Sequence, residues 1–234
     1  MRQKKTSISQ WLRLPSICAL CNQYHRDYHA ICHACSTLLV PIGPACYHCA
    51  LPLPDSDFWL CGHCSKKKPA HDQVIAAYHF EEPLRSLLHE FKYHEGLYLC
   101  SFLATLIANA IPSAAYKTQC LIPVPLHPTR LRQRGFNQAA ELAKYLGHQL
   151  KLPYDLVICK KTINTVPQAG LNANQRQRNL QGAFHVTPLP YQHVTLIDDL
   201  FTTGSTVHEL AKTLKKQGVE RVDVWCCARA TREK

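Results

Sequence analysis

Residues 194–206 read VTLIDDLFTTGST, and this stretch decides the fold of the longer part of the chain. Its apolar start predicts a buried strand that ends at the adjacent acids Asp198 and Asp199. Apolar side chains at helical spacing follow as far as Gly218, so a helix is expected after a short turn. N–H groups and hydroxyls of such a turn can surround one anion, which the helix dipole also favours. The turn consists of Thr202, Thr203, Gly204, Ser205 and Thr206.

The two acids restrict what this turn can bind. Carboxylates repel a phosphate, so Asp198 and Asp199 are expected to bind sugar hydroxyls or a phosphate-bound metal. A ligand with ribose, phosphate and Mg²⁺ would suit both the acids and the anion-binding turn. A simple Ser/Thr-capped turn is the alternative, and the acids argue against it. Walker A and G-x-G-x-x-G patterns are missing from the sequence, which speaks against nucleoside triphosphate hydrolysis and dinucleotide binding. The stretch resembles the phosphoribosyl-pyrophosphate signature of type I phosphoribosyltransferases.

Eight of the thirteen cysteines form four C-x-x-C pairs near the N-terminus. Two thiolates at this spacing reach one tetrahedral ion, so the four pairs predict two structural zinc ions. Sequential pairing is the simplest assignment, while a cross-braced pairing and a histidine ligand such as His48 stay open. Disulfides are the other possibility, but no signal peptide is recognisable before the cysteines, and in a reducing cytosol this spacing indicates metal. The predicted ligands are Cys18, Cys21, Cys32, Cys35, Cys46, Cys49, Cys61 and Cys64.

The chain has 234 residues, enough for one ordinary domain and a small module. We expect a zinc module with a linker at residues 1–70 and an α/β domain at residues 71–234. The formal charge of +11 falls to about +7 when eight thiolates and two Zn²⁺ are counted. This balance favours polyanionic ligands. A membrane span is not expected, because the sequence contains no apolar run of the required length.

Strands alternate with helices after the linker, which predicts a mostly parallel sheet with ligands beyond the carboxyl ends of its strands. The expected strands cover about 74–80, 121–124, 156–159, 194–197 and 221–228, and the expected helices 82–93, 98–111, 138–150 and the one after residue 206.

Two polar segments are candidates for further ligand contacts. Arg130, Arg132 and Arg134 lie in an expected strand-to-helix connection, where guanidinium groups suit pyrophosphate oxygens, although a solvated basic face would look the same. The long segment 160–182 has few apolar residues and could be a lid over the anion site. The lid candidates are Gln168, Arg176 and Arg178.

The chain resembles the ComF/GntX family over about residues 18–229. The resemblance rests on the four cysteine pairs and on FKY at 91–93, RQRGFNQ at 132–138, QRQRNLQGAF at 175–184 and IDDLFTTGST at 197–206. It implies a double zinc ribbon followed by a type I phosphoribosyltransferase-like domain. It also implies a cytoplasmic role in natural transformation, in which incoming single-stranded DNA is handled together with a competence helicase and a DNA-processing partner.

Carried over by residue, the resemblance implies that Asp198 and Asp199 contact ribose hydroxyls and that residues 202–206 hold the 5′-phosphate. Residues 126–134 would hold pyrophosphate with Mg²⁺. One departure is that the family often has an Arg early in the long loop, where this chain has Lys160 and Lys161. Lysine lacks the bidentate fork, so a phosphate contact from that part of the loop is in doubt.

Two functions remain open at this point. The chain is either an active phosphoribosyltransferase acting on a small-molecule or nucleotide acceptor, or a protein that binds phosphoribosyl pyrophosphate and DNA without transfer chemistry. The sequence shows no acceptor-base pocket or dedicated general base. For single-stranded DNA, basic residues and aromatic stacking platforms in the zinc module are the candidate contacts. They are Lys66, Lys67 and Lys68 with Tyr24, Tyr28, Tyr47, Phe58 and Trp59, although each aromatic could instead pack inside the module.

Overall fold

The structure is a computed structural model and describes residues 14–27, 29–93, 96–164 and 180–231. Its strands are β1 (Ser16–Ile17), β2 (Tyr24–His25), β3 (Gln73–His79), β4 (Cys120–Pro123), β5 (Cys159–Lys161), β6 (Phe184–Val186), β7 (His193–Phe201) and β8 (Arg221–Arg229). Its α-helices are α1 (His33–Ser36), α2 (Gly62–Lys66), α3 (Leu84–Tyr93), α4 (Cys100–Ala110), α5 (Pro128–Arg134), α6 (Gln138–Leu150) and α7 (Ser205–Lys216). Short 3₁₀ helices lie at Gly96–Leu99 and Ser113–Lys117.

The centre of the molecule is a four-stranded sheet in the order β3-β8-β7-β4, with every neighbouring pair parallel. The two central strands are buried along most of their length, as expected for a parallel sheet covered on both faces. Helices α3, α4 and α6 pack on one face around Leu103, Leu142 and Trp225. Helix α7 packs on the other face around Leu196 and Leu210. The predicted mostly parallel α/β fold is therefore confirmed.

The zinc module wraps around the exposed edge of this sheet. Residues 40–42 run beside β3, where Ile42 N–H donates to the carbonyl of Ala77 and His79 N–H donates to that of Val40. Because an uncovered edge strand offers free N–H and C=O groups to other chains, this contact protects the sheet. Cys18 and Cys35 pack into the core on the α4 face, whereas Ala50 joins the core on the α7 face.

Three elements differ from the sequence expectations. The basic segment forms helix α5, because His127 caps its start, Pro128 stands in its first turn and Gly135, with φ of 82°, ends it. The strand expected at 156–159 lies at β5 and pairs with β6, which was not expected. This antiparallel pair joins residues that are distant in sequence, and local periodicity does not reveal such pairing. Strand β7 also continues through both acids to Phe201.

Across the described ranges, no helix is both long enough and apolar enough to cross a membrane.

Candidate functional site

The eight predicted cysteines form two separate four-sulfur clusters in the structure. Cys18, Cys21, Cys32 and Cys35 make the first, and Cys46, Cys49, Cys61 and Cys64 make the second, with all ligand atoms of a cluster within 4.8 Å of one another. The pairing is therefore sequential, and the cross-braced alternative is wrong. The imidazole of His48 instead contacts the backbone carbonyl of Asp72 at 2.5 Å. We call residues 18–35 the first ribbon and residues 46–64 the second ribbon.

Both clusters have the dimensions of a tetrahedral thiolate site. Sγ of Cys21 and Sγ of Cys32 are 3.9 Å apart, and Sγ of Cys49 and Sγ of Cys61 are 3.7 Å apart. Zinc–sulfur bonds of about 2.3 Å in a tetrahedron require sulfur separations of roughly 3.8 Å. Backbone N–H groups also point at the sulfurs, as from Cys32 to Cys18 at 3.4 Å. The donor set and its spacing fit Zn²⁺ in two structural sites.

Residues 202–206, the anion loop, join the end of β7 to the start of α7. Gly204 is the N-cap of α7 with φ of 73°, a conformation that glycine adopts without strain. Thr203 Oγ1 lies 2.9 Å from Ser205 Oγ and accepts a hydrogen bond of 3.4 Å from Ser205 N–H. Since a glycine cap has no side chain, the first N–H groups of α7 depend on the loop or a ligand for partners. The predicted strand, turn and helix of this stretch are confirmed.

Gly204→Ala is expected to destabilise the protein clearly. The left-handed backbone costs a non-glycine residue about 1–2 kcal/mol, and the new Cβ would lie 2.5 Å from Cζ of Phe201. Gly43→Ala is the matched control, because a Cβ there meets no atom within 4 Å. Denaturant unfolding of the zinc-loaded proteins measures both effects. Equal stability of the two variants would contradict this account of the loop.

The two acids lie at the carboxyl end of β7, directly before the anion loop. Asp199 is 7% exposed, and its Oδ2 lies 2.6 Å from Nζ of Lys92. At this distance the ammonium of Lys92 is the partner of Oδ2 in a charge-assisted contact. The backbone N–H of Asp199 donates to Oδ1 of Asp198 at 2.9 Å. A carboxylate has about four lone-pair sites, so the two acids can accept further hydrogen bonds from a ligand.

The charges at this position are strongly coupled. Burial raises the pKa of Asp198 well above its ordinary value, the neighbouring Asp199 raises it further, and Lys92 opposes both. Burial also acts to lower the pKa of Lys92, but the charge of Asp199 outweighs it and the net pKa is raised. Lys92 therefore stays a cation, and it offsets part of the repulsion between the two carboxyl groups.

Lys92 is a site residue that the sequence did not assign, although it lies in the FKY motif. The carbonyl of Lys92 accepts a hydrogen bond from Gln138 Nε2 at 3.3 Å, and Arg134 donates to the hydroxyl of Tyr93 at 3.3 Å. Arg134 also donates to Oε1 of Gln138 at 3.1 Å. The FKY and RQRGFNQ motifs thus meet in space, and together they fix the end of α3 beside the acids.

The three arginines of the basic segment do not lie on one face of helix α5. On helix α5, Arg130 and Arg134 are four residues apart and lie on one face, while Arg132 lies on the opposite face and is exposed. Arg130 is close to Lys161 of β5. Burial lowers the pKa of Lys161, and the charge of Arg130 lowers it further, to about 8. The lid candidates Gln168, Arg176 and Arg178 lie outside the described residues.

A cavity of about 640 Å³ opens between the segment after β4 and strand β5. Its walls include His127, Phe136 and Asn137 on one side and Lys160 and Lys161 on the other. This volume lies within the range of small-molecule sites. The walls of the cavity come from segments that are distant in sequence, so local patterns did not predict it.

The second ribbon is attached to the anion loop by Arg229. Its Nε donates to the carbonyl of Cys49 at 2.7 Å, and its Nη1 donates to the carbonyl of Thr202 at 2.7 Å. The guanidinium also stacks on Phe201 at 5.2 Å from the ring centroid. A zinc ligand residue and the anion loop are therefore held by one side chain, which no local sequence pattern indicated.

The candidate aromatic platforms of the zinc module differ in exposure. Tyr24 and Trp59 are each 75% exposed and Phe58 is 57% exposed. Tyr47 has a packing role instead, since its hydroxyl accepts a hydrogen bond from Arg221 at 3.0 Å. Tyr28 lies outside the described residues.

These features define a class of protein: a pair of zinc ribbons folded against a parallel α/β domain that carries an acidic pair and an anion loop. A family model described as a double zinc ribbon domain matches residues 9–66. Competence protein F of Haemophilus influenzae is 36% identical over 217 residues, covering 88% of this chain and 93% of that protein. DNA utilization protein YhgH of Escherichia coli is 33% identical over 225 residues, covering 93% of this chain and 99% of that protein. The chain belongs to the competence protein F family.

A more distant relative is competence protein ComFC of Bacillus subtilis, 26% identical over 227 residues that cover 86% of this chain and 90% of that protein. Among solved structures, an allosteric regulatory enzyme of purine biosynthesis aligns with 58% of this chain and 29% of its own, at 14% identity. Its TM-score of 0.37 is too low to support an argument.

Proposed function

We propose that this protein handles incoming single-stranded DNA in the cytoplasm during natural transformation. The names of its relatives, which refer to competence and to DNA utilization, support this role. We further propose that the α/β domain binds phosphoribosyl pyrophosphate with Mg²⁺, and that the zinc module binds DNA or a partner such as a competence helicase. The acidic pair placed directly before the anion loop is the observation that carries the proposal of phosphoribosyl-pyrophosphate binding.

The residues around the loop fit such a ligand. Asp199 is held in place by Lys92, and the remaining lone pairs of the two carboxyl groups suit ribose hydroxyls or metal-bound waters. N–H groups at the start of α7 and the hydroxyls of Thr203 and Ser205 suit the 5′-phosphate. Residues 126–134, with Arg130 and Arg134 on one face of α5, would hold the pyrophosphate. When bound, Mg²⁺ would neutralise part of the pyrophosphate charge.

Binding of single-stranded DNA is expected to be sequence-tolerant and salt-sensitive. Counterion release makes affinity fall between about 50 and 200 mM salt, and a stacked aromatic contributes about 1–3 kcal/mol per base. Trp59→Ala and Tyr24→Ala are therefore expected to weaken binding about tenfold. Tyr145→Ala is the matched control, because Tyr145 is 48% exposed on α6, outside the zinc module. Fluorescence anisotropy with a labelled oligonucleotide measures all four proteins, and an affinity independent of salt would argue against this mode.

An active phosphoribosyltransferase is the second candidate function, and the cavity beside the segment after β4 favours it. That cavity of about 640 Å³ offers room for an acceptor next to the end of a sheet strand. The test is release of pyrophosphate from phosphoribosyl pyrophosphate, with and without single-stranded DNA or candidate bases. Binding without release in every mixture would favour the non-enzymatic function.

A further inference from the structure

The second ribbon and the anion loop enclose a cavity of about 220 Å³ between them. Lys67, Lys68 and His71 line it from the ribbon side and the linker, and Thr203, Gly204 and Ser205 line it from the loop. The cavity is therefore built jointly by the two parts of the chain. This volume is roughly that of seven water molecules in the liquid. It suits a phosphate with its sugar better than a DNA strand that runs through the cavity.

The lining of this cavity favours an anion. Among the described residues that line it, none is a carboxylate, and the ammonium groups of Lys67 and Lys68 oppose the negative charge of the zinc-ligand thiolates Cys49 and Cys64 on the ribbon side. Asp72, at the start of the α/β domain, has its Oδ1 3.9 Å from Nζ of Lys68. At that distance and exposure the pairing is weak, so Lys68 remains available to a phosphate.

His208 adds a hydrogen-bond donor to the same lining. Its Nδ1 accepts a hydrogen bond of 3.1 Å from the N–H of Ala70. The proton of the neutral ring is therefore on Nε2, which can donate to a ligand. Helix α7 thus contributes both its N-terminus and a side-chain donor.

An unpartnered nitrogen of His71 also indicates a ligand in this cavity. It is 2% exposed and lines the cavity, and its Nε2 lies 2.8 Å from the carbonyl of His48, which requires Nε2 to donate. Nδ1 is then an acceptor, and within the described residues it has no hydrogen-bond partner. A buried acceptor without a partner costs free energy, and a hydroxyl or a water that accompanies a phosphate would satisfy it.

We propose that this cavity captures the 5′-phosphate end of a single DNA strand, with the phosphate held between Lys67, Lys68 and the anion loop. The inference rests on the proposed function, which assigns 5′-phosphate recognition to the same loop and DNA binding to this protein. A terminal phosphate carries close to two negative charges, compared with one for an internal phosphodiester, so a cationic cavity selects the end. Exposed Lys66 is then available to the next phosphate of the strand.

Sharing of the loop has a direct consequence. Phosphoribosyl pyrophosphate and a 5′-phosphorylated strand exclude each other from the anion loop, because each needs it for its own 5′-phosphate. A strand with a 5′-hydroxyl binds only through the surface of the zinc module and is not displaced. Competition therefore separates capture of the end from general binding of DNA.

The test uses three oligonucleotides of one sequence: one with a 5′-phosphate, one with a 5′-hydroxyl, and one with a 3′-phosphate of matched total charge. Anisotropy with the zinc-loaded protein is expected to give about tenfold tighter binding of the 5′-phosphorylated strand. Lys67→Gln with Lys68→Gln is expected to abolish this preference while the zinc content stays at two equivalents. Lys117→Gln with Lys216→Gln removes the same charge at exposed positions outside the cavity and is expected to keep the preference.

Each other outcome identifies which proposal fails. Equal affinity for the 5′- and 3′-phosphorylated strands, or a preference that survives in Lys67→Gln with Lys68→Gln, would overturn capture of the end. Displacement of the 5′-hydroxyl strand by phosphoribosyl pyrophosphate would also overturn it. If no oligonucleotide binds at all, the proposed function itself fails.

Discussion

Cys46→Ser is expected to remove one of the two zinc equivalents and to weaken phosphate binding at the anion loop by tenfold or more. Structural zinc contributes about 10–16 kcal/mol in small zinc-finger peptides, and the apolar core of the second ribbon itself is small. Its own cluster of buried side chains consists of cysteines with Leu51 and Leu53 partly buried against them. Unfolding of the ribbon releases the carbonyl of Cys49 from Arg229, which also holds the carbonyl of Thr202.

Cys18→Ser is the matched control for this effect. It is expected to remove the other zinc equivalent, but the first ribbon packs on the α4 face, where His29 lies 5.8 Å from the ring of Phe102. None of the described residues of that ribbon lines the cavity beside the anion loop, so phosphate binding is expected to stay near the wild-type value. Zinc analysis, limited proteolysis and calorimetric titration with phosphoribosyl pyrophosphate and Mg²⁺ measure the two variants. Full zinc content in both would contradict the ligand assignment, and equal phosphate binding would contradict the coupling through Arg229.

Local patterns in the sequence predicted the parts of the molecule that local chemistry determines. The C-x-x-C spacing predicted two zinc ions, and the stretch 194–206 predicted a strand, a turn and a helix. The pairing of cysteine knuckles stayed open, because it depends on how the chain between them folds. The structure resolves that pairing as sequential.

Contacts between distant segments could not be predicted in this way. Lys92 and Asp199 are 107 positions apart, and Arg229 reaches Cys49 across 180 positions. No periodicity links such residues, since their meeting depends on the order of strands in the sheet. Lys92 lies in the FKY motif, but no role for it follows from the sequence, because the role depends on the position of α3 beside the end of β7.

A large effect on ligand binding is expected from Asp199→Asn. The amide keeps the size of the side chain but loses the charge that orients ribose hydroxyls and metal-bound waters. A hydrogen bond to a charged group contributes about 1.5–3 kcal/mol, so binding of phosphoribosyl pyrophosphate with Mg²⁺ should weaken roughly ten- to a hundredfold. Asp198→Asn is expected to weaken binding by a similar factor. It should cost less stability, because the ion pair of Asp199 with Lys92 remains.

Lys92→Met distinguishes the two roles of this ion pair. The substitution leaves Asp199 buried without its cation, which is expected to cost about 3 kcal/mol of unfolding free energy. Combining Lys92→Met with Asp199→Asn removes both charges, so much of that stability should return while binding remains lost. Denaturant unfolding and calorimetric titration of the two single variants and the double variant measure the coupling. Additive losses of stability would show that Lys92 does not compensate Asp199. Binding of phosphoribosyl pyrophosphate by the double variant at wild-type affinity would place the ligand elsewhere.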